Sequence, residues 1–250
     1  MTADSTPRTA LVTGGGSGIG RAAALALAAA GHDVLVVGRR EQPLRDTAAA
    51  HPGIRHLVAD VSTTAGAEAA VDAAVEAHGR LDVLVNNAAI LVPAPLEEID
   101  EDAAQQVWRT NILAPALLAK AALPHLAAAR GAIVNVSSSF GSRPAPGASL
   151  YGASKAALEQ LTRSWALELA DRGVRVNAIA PGPTESEALA RTGLPDEVIE
   201  RIKAVERSRV PLGRRGTPED VARWVVAFAD PAAGWITGQV LGVDGGFGLR

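Results

Sequence analysis

The fold is decided by residues 9–25, which read TALVTGGGSGIGRAAAL. A short apolar run enters a glycine-rich turn, and an alanine-rich helical segment follows directly. Such a turn binds phosphate, because N–H groups at the start of a helix converge on the anion and residues without side chains let it approach closely. A flexible glycine loop is the alternative, but the flanking strand and helix favour an anion site. The predicted dinucleotide contacts in this turn are Gly14, Ser17, Gly18, Ile19 and Gly20.

The alternation of an apolar run and an Ala/Leu-rich helical segment continues along the chain. Predicted strands are Thr9–Thr13, Val34–Val37, His56–Ala59, Val83–Val85, Ala132–Val136, Val174–Ile179 and Gln239–Val243. Predicted helices are Gly20–Ala30, Pro43–Ala50, Ala65–His78, Asp102–Ala129, Leu150–Ala170 and Pro218–Ala229. The strands are continuously apolar, as in a sheet that is covered on both faces. We therefore predict an α/β fold, a Rossmann-type doubly wound parallel sheet of about seven strands with helices on both faces.

The alternation also predicts how the chain is organised. We expect a single domain over residues 9–250, preceded by a flexible tail of residues 1–8. The longest departure from the pattern is residues 183–212. We predict that this segment forms one or two short helices and acts as a lid over the substrate site.

The composition excludes several classes of function. The chain has no cysteine, which rules out a disulfide scaffold, thiolate zinc and a cysteine nucleophile. Its 24 Lys and Arg residues against 27 Asp and Glu give a net charge of −3 without a basic block, which argues against a nucleic-acid partner. The five histidines lack metal-ligand spacing, so no metal site is predicted. No signal peptide is visible and prolines interrupt the apolar stretch Ile112–Ala129, so we expect a cytoplasmic protein without a membrane partner.

The second strand indicates which dinucleotide is bound. An acidic residue at the end of this strand would accept the ribose 2′-hydroxyl, whereas arginine suits a 2′-phosphate. The strand is followed by Gly38, Arg39 and Arg40, and Asp33 lies at its opposite end. We therefore predict NADP(H), bound by Arg39 and Arg40, with NAD(H) as the alternative if the two arginines are only solvated.

Three further motifs follow the later strands. The sequence reads Asn-Asn-Ala-Ala over residues 86–89, Ser-Ser-Ser over residues 137–139 and Tyr-Gly-Ala-Ser-Lys over residues 151–155. In this order and at this spacing, with the glycine turn, they resemble the short-chain dehydrogenase/reductase family from Leu11 to Gly246. One departure is Ala89, where many members of the family have glycine, and a positive φ there would strain the alanine.

The resemblance implies site residues by position. The catalytic tetrad would be Asn111, Ser138, Tyr151 and Lys155, with Ser138 chosen because the family's serine lies thirteen residues before the tyrosine. Further contacts to the cofactor would come from Asp60, Val61, Asn87, Ala88, Tyr151, Lys155, Pro181, Gly182, Thr184 and Ser186. It also implies a homotetramer, or failing that a dimer, assembled through the helices near 102–129 and 150–170 and the C-terminal strand.

The residue types suit redox chemistry at a carbonyl. Tyr151 is the only tyrosine, and Lys155 lies one helical turn further on. The lysine ammonium is expected to lower the phenol pKa from ~10 by roughly 1–3 units, so that Tyr151 can act as a general acid and base. Ser138 would hydrogen-bond the substrate oxygen, Lys155 would anchor the ribose hydroxyls, and Asn111 would hold a water that links Lys155 to solvent. A buried ring beside a snorkelling lysine is the structural alternative.

These features predict an oxidoreductase, a ketoreductase that interconverts a secondary alcohol and a ketone by hydride transfer with NADP(H). A non-catalytic dinucleotide-binding regulator is the alternative from another class. The expected walls of the substrate site are Ile90–Leu96, Phe140–Ser149 and Thr184–Arg207, which are mainly apolar. Arg143 is the expected polar or anion contact. The substrate itself stays open, because a fold does not identify it.

Overall fold

A computed structural model describes residues 7–187 and 189–249, and within these ranges seven parallel strands form one sheet between two layers of helices. The strands are β1 Thr9–Thr13, β2 Asp33–Gly38, β3 Ile54–Val58, β4 Val83–Asn86, β5 Ala132–Val136, β6 Arg175–Pro181 and β7 Val240–Val243. The helices are α1 Gly18–Ala29, α2 Glu41–Ala49, α3 Thr64–Val75, α4 Glu101–Trp108, α5 Ala114–Ala129, α6 Ser149–Glu168, α7 Asp196–Arg209 and α8 Pro218–Ala229. Residues 1–6 of the predicted tail and residue 188 of the predicted lid lie outside the described residues.

The strand order places the candidate site. The sheet runs β3-β2-β1-β4-β5-β6-β7, so its growth reverses direction between β1 and β4. In parallel sheets of this kind the ligand crevice lies at the carboxyl ends of the strands, at the point of reversal. The glycine turn after β1 and the loop after β4 therefore border the same crevice.

Alternate residues of each strand are buried against opposite helical layers. On β1, Ala10 and Val12 belong to the core formed with α1 and α8, whereas Leu11 belongs to the core formed with α3, α5 and α6. All three side chains are fully buried. Burial of both faces explains why the strands are apolar without alternation. The prediction of a doubly wound parallel sheet is confirmed.

The predicted helix Asp102–Ala129 is interrupted. Helix α4 leads into a π-helical turn, Arg109–Leu113, before α5 begins at Ala114. The cause lies at Pro115, which has no N–H to donate to the carbonyl of Asn111 and whose ring would clash with that carbonyl in a regular α-helix. A wider turn relieves the clash and places Asn111, which is buried, at its centre.

By length and composition alone, the continuous helical run Glu101–Ala129 could also cross a membrane. In the structure, Leu118, Ala122 and Leu126 of this run are buried in the core shared with α3 and the sheet. The core helix of a globular domain has the same length and composition, so the run is weak support for a membrane span.

Candidate active site

A cleft of about 710 Å³ opens at the carboxyl ends of the strands. All but two of the predicted catalytic and cofactor-binding residues line it, and the two exceptions are Gly20 and Asn111. The residues that line it are Gly14, Ser17, Gly18, Ile19, Arg39, Arg40, Asp60, Val61, Asn87, Ala88, Ser138, Tyr151, Lys155, Pro181, Gly182, Thr184 and Ser186. The structure thus brings together residues from seven separate segments of the chain.

The glycine turn has the geometry that its sequence predicts. Gly14 and Gly18 have φ of +65° and +52°, values that favour glycine. Gly20 does not line the cleft, but a Cβ there would collide with the carbonyl of Gly14 and the side chain of Asn87. Gly20 is therefore required for the packing of the turn, while Gly14 and Gly18 give it the backbone conformation that opens α1.

Thr13 joins the glycine turn to the loop after β4. Its hydroxyl accepts hydrogen bonds from the backbone N–H groups of Asn87 and Ala88, both at 3.0 Å, and donates to the carbonyl of Val85 at 3.2 Å. The side chain of Asn87 in turn donates to the carbonyl of Thr13 at 2.8 Å. Sequence analysis did not assign Thr13 a role, although it stands directly before the first glycine of the turn.

The predicted ribose contacts lie at one end of the cleft. Arg39 and Arg40 are exposed and follow directly after β2, and the Arg40 guanidinium lies 3.4 Å from the Glu187 carboxylate across the cleft. At the opposite end of β2, Asp33 is paired with Arg55 at 2.9 Å, far from this position. The prediction that Asp33 lies at the wrong end of the strand agrees with this arrangement.

Asp60 after β3 is held as an acceptor in the cleft. Its Oδ1 accepts from the Ser62 hydroxyl at 2.7 Å and from the Ser62 backbone N–H at 3.0 Å. The pKa of Asp60 is lowered, mainly by the Ser62 hydroxyl and further by the backbone N–H and the charge of Arg39, against a smaller effect of burial. The carboxylate is therefore ionised and oriented at neutral pH.

The three serines after β5 have different surroundings. The Ser138 side chain lines the cleft with Tyr151, and its hydroxyl accepts from the backbone N–H of Phe140 at 3.2 Å. The Ser137 hydroxyl points the other way and donates to the Glu159 carboxylate at 2.8 Å. Ser138 stays the predicted catalytic serine, while the Ser137 hydroxyl contacts α6.

Tyr151 and Lys155 lie one turn apart on α6, as predicted, with the lysine Nζ 5.6 Å from the centre of the tyrosine ring. One expectation is wrong: the pKa of Tyr151 is raised, because burial outweighs the opposing hydrogen bond from Ser138. The Lys155 Nζ donates to the carbonyl of Val136 at 2.8 Å. Burial also lowers the pKa of Lys155 to about 8, against the opposing charge of Glu159.

Asn111 is buried outside the lining of the cleft and contacts Ser154 of α6, the helix that carries Tyr151 and Lys155. Its side-chain oxygen accepts from the backbone N–H of Ile90 at 2.9 Å, and its side-chain nitrogen donates to the Ile90 carbonyl and the Ser154 hydroxyl, both at 3.0 Å. The side chain is thus occupied in joining the loop after β4 to α6. Pro115 has no N–H to donate to the Asn111 carbonyl four residues earlier.

Residues after β6 line one side of the cleft. The Thr184 hydroxyl donates to the carbonyl of Gly182 at 2.9 Å, and Ser186 lies close to Gly18. The side chain of Arg215 is almost fully buried below them, donating to the carbonyl of Thr184 at 2.7 Å and pairing with Glu185 and Glu206. Sequence analysis missed Arg215, which fastens the loop after β6 to α7.

Only some residues of the three predicted substrate-wall stretches line the cleft. From the three predicted stretches, the lining residues include Ile90, Leu91, Val92, Phe140, Leu189 and Glu206. Gln106 and Thr110 also line the cleft, and sequence analysis did not name them. Arg143 is not among the described residues that line it; its guanidinium stacks 4.3 Å from the centre of the Phe247 ring. Ala89 is unstrained, because Arg130 is the sole non-glycine residue with positive φ in the described ranges.

Comparisons with known proteins agree with this arrangement. A family model described as "Enoyl-(Acyl carrier protein) reductase" matches residues 14–248. The cis-4-hydroxycyclohexanecarboxylate dehydrogenase of Sinomonas cyclohexanicum is 42% identical over 246 residues, covering 96% of each chain. The 3-oxoacyl-[acyl-carrier-protein] reductase of Thermotoga maritima is 37% identical, covering 94% of this chain and 96% of the relative.

Two solved structures are similar over nearly the whole chain. A short-chain dehydrogenase/reductase of unknown function from Caenorhabditis elegans, solved with cofactor, has a TM-score of 0.91 at 33% identity and covers 97% of this chain and 95% of its own. A 3-ketoacyl-(acyl-carrier-protein) reductase from Brucella melitensis, complexed with NADH, has a TM-score of 0.89 at 31% identity and covers 96% and 98%.

Proposed function

The chain belongs to the short-chain dehydrogenase/reductase family and is an NAD(P)-dependent oxidoreductase, and from this premise we propose that it interconverts a secondary alcohol and a ketone with NADP(H). The observation that carries the proposal is the grouping of Ser138, Tyr151 and Lys155 inside the cleft bordered by the glycine turn, with the lysine one helical turn from the tyrosine.

The residues present fit a dinucleotide. The backbone N–H groups of the glycine turn and the start of α1 suit the pyrophosphate, and Gly14 and Gly18 have no side chains of their own to cover these groups. Asp60 and Val61 would contact the adenine, and Lys155 the ribose hydroxyls. The backbone at Pro181 and Gly182 and the hydroxyls of Thr184 and Ser186 would hold the nicotinamide amide. When bound, the nicotinamide supplies or accepts the hydride.

In the proposed mechanism the protein manages the proton and the developing charge. During ketone reduction, Tyr151 donates its hydroxyl proton to the substrate oxygen, and Ser138 hydrogen-bonds the same oxygen as negative charge grows on it. Lys155 in its ammonium form stabilises the resulting phenolate. A water at the Asn111 carbonyl would connect Lys155 to solvent, so that the proton can be replaced.

The preference for NADP(H) rests on charge at the end of β2. Arg39 and Arg40 both line the cleft where the 2′ position of the adenine ribose would lie, and the carboxylate of Asp33 is at the far end of the strand. Two guanidinium groups favour a phosphate over a hydroxyl, because charge-assisted hydrogen bonds to phosphate are stronger than neutral ones.

The substrate class follows from the cleft walls. Ile90, Leu91, Val92 and Phe140 favour a partly apolar ketone of medium size. The relatives include a dehydrogenase named for a hydroxycyclohexanecarboxylate and a reductase named for a 3-oxoacyl thioester. Cyclic ketones and 3-oxoacyl thioesters are therefore the first compounds to test.

The test is a spectrophotometric assay of NADPH and NADH oxidation against a panel of cyclic ketones, 3-oxoacyl thioesters, steroids and sugar-derived ketones. We expect turnover of at least one class, with a higher kcat/KM for NADPH than for NADH. Binding of NADPH without oxidation against any ketone would contradict the proposal and favour the regulator. A higher kcat/KM for NADH would leave the reaction intact and refute the cofactor preference.

We further propose a lid and a homotetramer. Residues 183–212 would form the lid, since Leu189 and Glu206 from this segment line the cleft. Exposed apolar side chains support assembly: Trp108 and Leu113 lie along the helical run 101–129, Leu167 lies at the end of α6, and Trp235 lies just before β7. Where such side chains form a contiguous apolar patch they mark an interaction surface, so these four residues are the candidates for the proposed interfaces.

A further inference from the structure

Glu159 is a buried carboxylate that the proposed mechanism does not use. It is only 6% exposed and follows Tyr151 and Lys155 at successive intervals of four residues, which places all three on one face of α6. Its Oε1 accepts a hydrogen bond from the Ser137 hydroxyl at 2.8 Å, and the same hydroxyl lies 3.3 Å from the carbonyl oxygen of Lys155. Burying an ionised carboxylate is unfavourable unless hydrogen bonds and a nearby cation offset the cost.

Glu159 also packs against the turn that follows Ser138. A Cβ on Gly141 would collide with Glu159 Oε1, so the carboxylate lies directly below the 3-10 turn Ser139–Gly141. Ser138 caps this turn by accepting from the backbone N–H of Phe140. A single carboxylate therefore contacts both the segment that orients Ser138 and the helix that carries Lys155.

Few charged groups face Lys155 and Glu159 in the described part of the chain. In the described part of the chain, Lys155 faces Tyr151 and Glu159 from α6 and the Val136 carbonyl from β5. Glu159 faces the Ser137 hydroxyl from the end of β5 and Arg163 from α6. The Arg163 guanidinium lies 3.9 Å away and is half exposed, so water screens most of its charge. The negative charge of Glu159 thus acts mainly on Lys155.

We propose that Glu159 is a positioning residue for this reaction, whose carboxylate keeps the Lys155 ammonium charged beside Tyr151 and holds the Ser138 turn against α6. The inference rests on the proposed function, because it concerns the same proton transfer. Tyr151 and Lys155 titrate as a coupled pair that can lose its first proton from either group. A negative charge beside Lys155 retains the proton there and raises the apparent pKa of the pair.

The test is the pH dependence of kcat/KM for ketone reduction by Glu159→Gln at saturating NADPH. Reduction needs the Tyr151 hydroxyl and the Lys155 ammonium, so the rate falls as pH rises through the first apparent pKa of the pair. Glutamine keeps the shape and the acceptor for Ser137 but removes the charge. We expect the midpoint of this fall to move down by about half to one pH unit, which lowers the rate about three- to tenfold on the alkaline side.

Two further variants separate charge from structure. Glu159→Asp keeps the charge, so the midpoint of its pH profile should lie closer to the wild-type value than the midpoint of Glu159→Gln does. Glu168→Gln removes an exposed carboxylate from the same helix and should leave the profile unchanged. If Glu159→Gln does not fold, Arg163→Gln takes its place. Loss of the partly screened Arg163 cation leaves the Glu159 charge less compensated, so the midpoint should rise slightly instead of falling.

The possible outcomes are distinct. An unshifted midpoint in Glu159→Gln, or an equal loss of rate at every pH, would overturn the role of Glu159. The proposed function would still stand, because the wild-type protein reduces the ketone. Failure of the wild-type protein to reduce any ketone in the panel would instead refute the proposed function, and the role of Glu159 would fall with it.

Discussion

Arg39 is the residue whose replacement tests the proposed preference for NADP(H) most directly. Its replacement in Arg39→Asp puts a carboxylate where the 2′-phosphate would lie, which repels the phosphate and can accept a 2′-hydroxyl. A hydrogen bond to a charged group contributes about 1.5–3 kcal/mol, so we expect KM for NADPH to rise roughly 10- to 100-fold. KM for NADH should change far less. Steady-state kinetics with both cofactors measures the difference.

Arg45→Asp is the matched control, because Arg45 is an exposed arginine on the adjacent helix α2 that pairs with Glu41 at 2.7 Å. The control changes the net charge of the protein by the same amount but should leave both KM values unchanged. An equal rise for NADPH and NADH in Arg39→Asp would mean that the 2′-phosphate is bound elsewhere.

Some site residues can be predicted from the sequence and others cannot, for a physical reason. Tyr151 and Lys155 can be placed together by their spacing of one helical turn, whereas Ser138 is chosen among three adjacent serines only through the family resemblance. Thr13 and Arg215 matter through partners that are distant in sequence, such as Asn87 and Glu206. No local pattern reveals such contacts. The shift of the Tyr151 pKa was predicted in the wrong direction, since burial depends on the whole cleft.

At the scale of elements, the start of α8 is held by charge and capping together. The Thr217 hydroxyl accepts from the backbone N–H of Asp220, and the Asp220 carboxylate accepts from the backbone N–H of Thr217 at 2.9 Å. The same carboxylate pairs with Arg214. The hydrogen bond from Arg214, followed by that from the Thr217 N–H, lowers the pKa of Asp220 to about 2. Because α8 packs on α1 in the core, this cap supports the helix that begins at the glycine turn.

Asp220→Asn should therefore destabilise the protein in a pH-dependent way. A depressed carboxyl pKa stabilises the fold above the unfolded pKa of about 4, and this contribution disappears as pH falls through the folded value near 2. We expect a loss of about 1 kcal/mol in the free energy of unfolding at pH 7, which shrinks below pH 4. Urea unfolding at pH 7 and pH 3 measures both values.

Glu219→Gln serves as the control for this helix, since Glu219 is exposed in the same first turn and experiences the same helix dipole. Its effect should be a few tenths of a kcal/mol at pH 7. If Asp220→Asn destabilises the protein no more than this control does, or by the same amount at both pH values, the charge of Asp220 does not contribute to the stability of the cap.

Element boundaries show where sequence patterns stop being informative. The strands Thr9–Thr13 and Ala132–Val136 and the helix Pro218–Ala229 have the predicted bounds, because turn residues or a cap define their ends. The π turn at Arg109–Leu113 was missed, although Pro115 was visible in the sequence. A proline predicts a disturbed helix, but whether the helix kinks, ends or widens depends on what packs against it.

At the scale of the whole molecule, the pattern of buried strands alternating with helices predicts the doubly wound parallel sheet, and the structure confirms it. The same reasoning leaves the assembly open, because apolar side chains at the surface do not identify their partner. Leu167, near the end of α6, is 82% exposed, and Trp235, which precedes β7, is fully exposed. Their exposure in a single chain is the basis for the proposed tetramer.

Light scattering after size-exclusion chromatography tests this assembly. We expect a particle of four times the chain mass, and a particle of twice the chain mass for the double variant Leu167→Glu/Trp235→Glu, since buried acidic groups prevent apolar contact. Glu168→Gln, next to Leu167, should leave the mass unchanged. A wild-type protein that elutes as a monomer would refute the proposed tetramer and dimer together.

The central claim is that Tyr151 moves the proton in a cleft built for a dinucleotide. The most direct measurement is the rate of NADPH oxidation by Tyr151→Phe with the best ketone of the panel, together with its affinity for NADPH. We predict a rate lower by about 10²–10⁴-fold, because the phenol proton is lost, with NADPH affinity within about threefold of the wild type. Turnover at the wild-type rate with intact NADPH binding would contradict the account.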